Sequence, residues 1–94
     1  MPTFDEARAL VIEAIARLAP PDDPYGLDEG VTIEKPWGWV FFYNSQRYLE
    51  TQEIQHHLFG NAPFIVNKVS GAILETGTAE DIEFYVAEYE ASLE

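Results

Sequence analysis

The sequence predicts an α+β fold: a four-stranded antiparallel sheet made of two hairpins, with the N-terminal and C-terminal helices packed on one face. Three observations point there. An amphipathic helical pattern opens the chain and a second one closes it. Between them lie two pairs of short segments rich in Val, Ile, Phe, Tyr and Trp, each pair joined by a turn bearing glycine. Ninety-four residues suit one domain over residues 1–94; a chain of this size buries only about 60–65% of its unfolded surface, enough for one two-layer core.

The first helix is expected from Phe4 to Ala19. Thr3 and Glu6 have the spacing of a capping box, and Phe4, Ala7, Val11, Ala14, Ile15 and Leu18 recur every three or four residues on one face. Pro20 and Pro21 end it, since neither can donate an amide proton and Pro20 restricts Ala19. Asp22 to Gly30 reads as a polar connector. A first strand follows over Val31–Lys35, with Val31 and Ile33 facing the core. Pro36-Trp37-Gly38 turns the chain into a second strand, Trp39–Asn44. In that strand Trp39, Phe41 and Tyr43 share one face, while Val40 and Phe42 share the other. Both faces are therefore apolar. With both helices on one side, the other must be covered by a loop or a partner, or stay open.

Glu50–Phe59 carries enough helical pattern for one or two turns, pinned by Ile54, Leu58 and Phe59. The strands Ala62–Lys68 and Ala72–Thr76 form a hairpin through Val69-Ser70-Gly71, where Gly71 supplies a positive dihedral. Gly77 breaks the second strand. Thr78 is placed to cap a last helix from Ala79 to Ala91, with Asp81 in the box position and Ile82, Tyr85, Val86, Tyr89 and Leu93 as its apolar stripe.

Composition excludes several classes of function. There is no cysteine, so neither disulfides nor thiolate metal sites are available. No apolar run approaches the roughly 18 residues of a membrane span, and the first residues lack the pattern of a secretory signal, so a cytoplasmic protein with no membrane partner is expected. Seventeen acids against five bases give a net charge of −12. That field would repel a phosphate backbone, which argues against nucleic acid as a partner, and it could steer a basic protein instead.

No catalytic set emerges. His56 and His57 are adjacent, and Glu53 with His57 supplies at most two ligands where zinc wants three or four. The serines lack a nucleophile elbow, and no glycine-rich phosphate loop precedes a helix. Neither a metal nor a cofactor is expected. The informative residues are aromatic. Trp37 lies in a turn where a large ring is not readily buried, and interfaces favour Trp and Tyr at their centres. The expected partner-binding surface is the open sheet face near Trp37, Trp39 and Tyr43, rimmed by Glu34, Glu50 and Glu53. On the last helix Glu88, Glu90 and Glu94 sit at the end that the helix dipole disfavours, which hints at use of that charge from outside the fold.

The run Gly60-Asn61-Ala62-Pro63-Phe64-Ile65-Val66-Asn67-Lys68, followed by Ser70-Gly71 and Gly77-Thr78-Ala79, resembles the signature half of the YrhB-like domain family, which overlaps the family named immunity protein 35. The aromatic strand from Trp39 to Ser45 before it and the acidic, tyrosine-bearing stretch from Tyr85 to Glu90 after it fit the same pattern. The long Pro20–Gly30 connector and the pronounced acidity depart from it. The resemblance implies a non-catalytic bacterial immunity protein that binds and neutralises a cognate toxin domain of a polymorphic toxin system by stoichiometric contact. A basic toxin suits the charge. The alternative it implies is a chaperone-like holdase or a general protein-binding module.

Overall fold

The computed structural model describes residues 2–59 and 61–93. Helix α1 spans Phe4–Leu18 and begins as its sequence dictates. The Thr3 hydroxyl accepts from the Glu6 amide at 3.2 Å, and the Glu6 carboxylate accepts from the Thr3 amide at 3.1 Å. This closes the capping box and draws the Glu6 carboxyl below its ordinary value through the Thr3 hydrogen bonds. Ala7, Val11 and Ile15 are wholly buried.

Strands β1 (Tyr25–Leu27), β2 (Ile33–Lys35), β3 (Gly38–Phe41), β4 (Tyr43–Ser45), β5 (Phe64–Asn67) and β6 (Ile73–Glu75) form two antiparallel sheets. The principal sheet has the order β2-β3-β5-β6, and β1 pairs with β4 in a small second one. Two hairpins thus join at β3 and β5 into the expected four-stranded antiparallel sheet. Gly38 is required at that junction. A Cβ there would lie 1.9 Å from the carbonyl oxygen of Val66, inside the neighbouring strand's backbone. In the β5–β6 turn Gly71 has φ of +75°, which L side chains rarely adopt.

The expected long strand Trp39–Asn44 is divided. β3 pairs with β5 and β4 pairs with β1, with Phe42 at the break, its carbonyl accepting from Asp28. The connector read as irregular holds β1, because backbone pairing tolerates the Gly26 and Pro24 that spoil a side-chain pattern. Val31 lies in a 3-10 turn, Glu29–Val31, and is half exposed instead of facing the core.

A further correction concerns the helices. α1 packs on Trp39, Phe41, Tyr43, Phe64 and Val66, whereas helix α3 (Ile82–Ser92) packs through Ile82, Val86 and Tyr89 against Val40 and Ile65. Register places Trp39 beside Val66 and Val40 beside Ile65, so these are opposite faces. The terminal helices therefore flank the sheet and do not share one side. Two apolar faces each gain by losing contact with water, at roughly 25 cal/mol per Å². The segment after β6 passes beside Phe42, Asn61 and Pro63, at the ends of β3 and β5, to the face α1 leaves uncovered. The result is an elongated body of 41 × 27 × 21 Å with a radius of gyration of 13.4 Å.

Between β4 and β5 lie a short helix α2 (Gln46–Thr51) and a 3-10 turn (Ile54–His56). α2 starts straight after β4, earlier than the sequence pattern suggests. Of the three residues expected to pin this stretch, Leu58 packs on the core, while Ile54 and Phe59 are exposed. The ring of His57 lies between that of Tyr48, met edge-on at 4.4 Å, and that of Phe59, tilted at 4.6 Å.

Candidate partner-binding surface

The expected surface required an open aromatic sheet face, and the packing of two helices on opposite sides removes it. Trp39 and Tyr43 are buried under α1, at 6% and 7% exposure. Phe4 meets Trp39 edge-on at 5.9 Å, and the Lys68 ammonium lies 5.2 Å from the indole centroid, within cation–π range. Burial, and after it the charge of Glu75 and the neighbouring Tyr25, raises the Tyr43 phenol above its ordinary value.

Trp37 lies on the other face. It occupies the two-residue turn between β2 and β3, half-buried, with its ring 4.8 Å from that of Tyr89. Its indole Nε1 donates to the Glu90 carboxylate at 2.9 Å. The turn residue thus clasps α3 to the sheet. This also gives an internal role to one of the acids whose place on the helix looked unfavourable. Glu88 remains exposed, while Glu94 and the motif's Gly60 lie outside the described residues.

The three rim carboxylates do not converge. Glu34 is opposite Trp39 on β2 and lines a groove with Phe4 and Thr32. Glu50 lines a different groove, between α1 and α2, beneath the bidentate pair formed by Arg8 and Glu29. Glu53 accepts from the Gln55 amide at 3.0 Å. Among the described residues no group of three or more His, Asp or Glu side chains could hold a metal, and no helix is long and apolar enough to cross a membrane.

Other polar side chains, unmarked by sequence reasoning, organise the C-terminal face. Asn67 accepts from the Val69 and Ser70 amides at 2.8 and 3.0 Å and donates to the Tyr89 hydroxyl at 3.1 Å, tying the hairpin turn to α3. Asn44 similarly accepts from Ser45 and Leu58. α3 begins at Ile82, later than expected, and the Thr78 cap does not form. Asp81 takes the N-cap position without a side-chain cap bond, and the Tyr85 hydroxyl holds the loop before it by accepting from the Ala79 and Glu80 amides at 3.1 and 3.2 Å. Leu93, expected in the buried stripe, is half exposed.

The C-terminal segment is strongly anionic in sequence. From Val69 to the C-terminus the chain carries Glu75, Glu80, Asp81, Glu83, Glu88, Glu90 and Glu94, and no lysine or arginine. Val69, Leu74 and Phe84 are exposed apolar residues of the same segment, as is Ile73 on the opposite side of the sheet. An open groove of about 360 Å³ runs between β6 and α3, lined by Ile65, Leu74, Tyr85 and Tyr89 and bordered by Glu75 and Glu88. An apolar floor bordered by carboxylates can hold a partly apolar, cationic protein segment.

The family described as immunity protein 35 matches residues 5–92, from the first turn of α1 to the last of α3. The chain belongs to this family. An Escherichia coli (strain K12) protein described as uncharacterized protein YrhB is 45% identical over 53 residues. That match covers 56% of this chain and 56% of the E. coli protein, so it spans little more than half the relative's length. No solved structure matches the chain. Membership of the immunity protein 35 family points to a role in toxin immunity.

Proposed function

We propose that the chain is a non-catalytic immunity protein that binds a cognate bacterial toxin domain one-to-one and blocks its action. The observation that carries this reading is the match to the immunity protein 35 family across nearly the whole fold, residues 5–92. The anionic C-terminal face supports a basic toxin surface as its target, since complementary charge accelerates encounter and disfavours wrong partners. Of the aromatic residues, Trp37 contributes by holding α3 in place, and Trp39 and Tyr43 contribute by supporting the sheet. Glu34, Glu50 and Glu53 remain exposed and available as peripheral charges.

The test is co-expression with a toxin domain found encoded next to the gene. Restored growth, together with a one-to-one complex by light scattering, is the expected result. Growth arrest despite soluble immunity protein would overturn the proposal. Suppressed aggregation of several unrelated proteins, without a stable complex, would favour the holdase alternative.

A further inference from the structure

Strand β6 is the least protected edge of the principal sheet. The opposite edge, β2, carries Glu34 and Lys35 and is followed by Pro36, charges and a proline of the kind that discourage further pairing. β6 has neither lysine nor proline, and among the described residues no strand lies beyond it. Its ladder to β5 includes bonds from the Asn67 amide to the Ala72 carbonyl and from the Thr76 amide to the Pro63 carbonyl, both 3.0 Å. Antiparallel pairing alternates, so Ala72, Leu74 and Thr76 direct their backbone groups to β5, and Ile73 and Glu75 direct theirs outward. Their side chains divide between the faces as well. Ile73 and Glu75 share a face with Val66 and Phe64, while Leu74 lies beside Ile65 on the groove side.

We infer that β6 accepts an extended, cationic segment of the toxin as a fifth, edge strand of the sheet. This rests on the immunity reading and specifies how the partner is held. Outward amides and carbonyls of Ile73 and Glu75 supply backbone pairing, and the groove between Leu74, Ile65, Tyr85 and Tyr89 takes alternate apolar side chains. Charge decides the occupant. The absence of any base from residue 69 onward would bring like charges together if a second copy paired here, and would attract lysine or arginine on the other face of an incoming strand towards Glu75.

The probe is an eight-residue peptide alternating lysine with valine, compared with its glutamate–valine counterpart. Amide hydrogen exchange is followed at single residues in the full chain. The expected result is at least about tenfold slower exchange at Ile73 and Glu75 with the lysine peptide alone, a loss of opening corresponding to one factor of ten in the equilibrium. Ile73→Pro removes an outward donor without touching the β5 ladder and should abolish that protection, whereas Ile73→Val should keep it. Unchanged exchange on β6, protection confined to β2, or equal response to the glutamate peptide would each overturn the inference. So would a dimer of the chain alone that Ile73→Pro dissolves. Toxin neutralisation that survives Ile73→Pro would refute the edge-strand mode while leaving the immunity reading intact. Loss of neutralisation in the parent chain, with the lysine peptide still protecting β6, would refute the immunity reading instead.

Discussion

Replacing Trp37 probes how the C-terminal helix is held. Two contacts are lost in Trp37→Ala, the ring packing on Tyr89 at 4.8 Å and the Nε1 hydrogen bond to Glu90 at 2.9 Å. An aromatic pair contributes about 0.5–1.5 kcal/mol beyond its buried area. A hydrogen bond to a charged acceptor contributes about 1.5–3 kcal/mol, and less where solvent reaches both groups, as it does at these two half-buried side chains. Trp37→Phe keeps a ring and loses the donor, so it should cost about 1–2 kcal/mol; Trp37→Ala should cost about 2–4 kcal/mol. In a domain of this size 1 kcal/mol shifts Tm by about 4–8 °C. Urea titration followed by far-ultraviolet circular dichroism measures the loss. Hydrogen exchange locates it: the amides of Ile82–Ser92 should exchange about tenfold faster for each 1.4 kcal/mol lost, while those of α1 change less. A double-mutant cycle of Trp37→Phe with Glu90→Ala should return a coupling of about 1 kcal/mol. A Tm for Trp37→Phe within a degree of the parent, with exchange in α3 unaltered, would refute the clasp.

Phe41 is fully buried beneath α1, and Phe41→Ala should cost about 3–5 kcal/mol, seen as a large drop in the urea midpoint; a shift under about 1 kcal/mol would mean the site refills by collapse. Gly38→Ala forces a Cβ against the Val66 carbonyl and should destabilise by about 1–3 kcal/mol or more, whereas Gly30→Ala, with nothing within 4 Å of the added carbon, should leave Tm almost unmoved. The Arg8 guanidinium holds the Glu29 carboxyl below its ordinary 4.5. The unfolded chain therefore binds that proton first, and the pair's contribution is present above pH 4.5 and fades as pH falls through the lower folded value. Glu29→Gln should thus flatten the fall of Tm with acidification below pH 4.5, and parallel curves for parent and variant would show that solvent screens the pair completely.

The helical periods of α1 and α3 and the hairpin around Gly71 were legible because each is a local pattern written in consecutive residues. So was the division of Trp39, Phe41 and Tyr43 from Val40 and Phe42, a consequence of the strand's period of two. The side of the sheet chosen by each helix was not legible, since the apolar stripe of α3 fits either face equally well. It is decided by the path from Glu75 to Ile82, where Gly77 and the Tyr85 hydroxyl settle the turn. That undecided choice carried the site expectation with it. An uncovered face would have exposed Trp39 and Tyr43, and α1 covers them. β1 was hidden because Tyr25-Gly26-Leu27 is held by backbone pairing to β4, which leaves little trace in side-chain type. The clasp between Trp37 and Glu90 joins residues 53 positions apart, beyond any reading of local sequence.

The chain's two tryptophans, 37 and 39, are separated by a single residue yet lie against different helices. Each is therefore a native optical probe of one layer. Emission from Trp39 reports the seating of α1, and emission from Trp37 reports that of α3. Replacing either by phenylalanine leaves a single-colour record of the other, so the order in which the two sides of the sheet assemble, or loosen when a partner binds, can be timed without attaching a label.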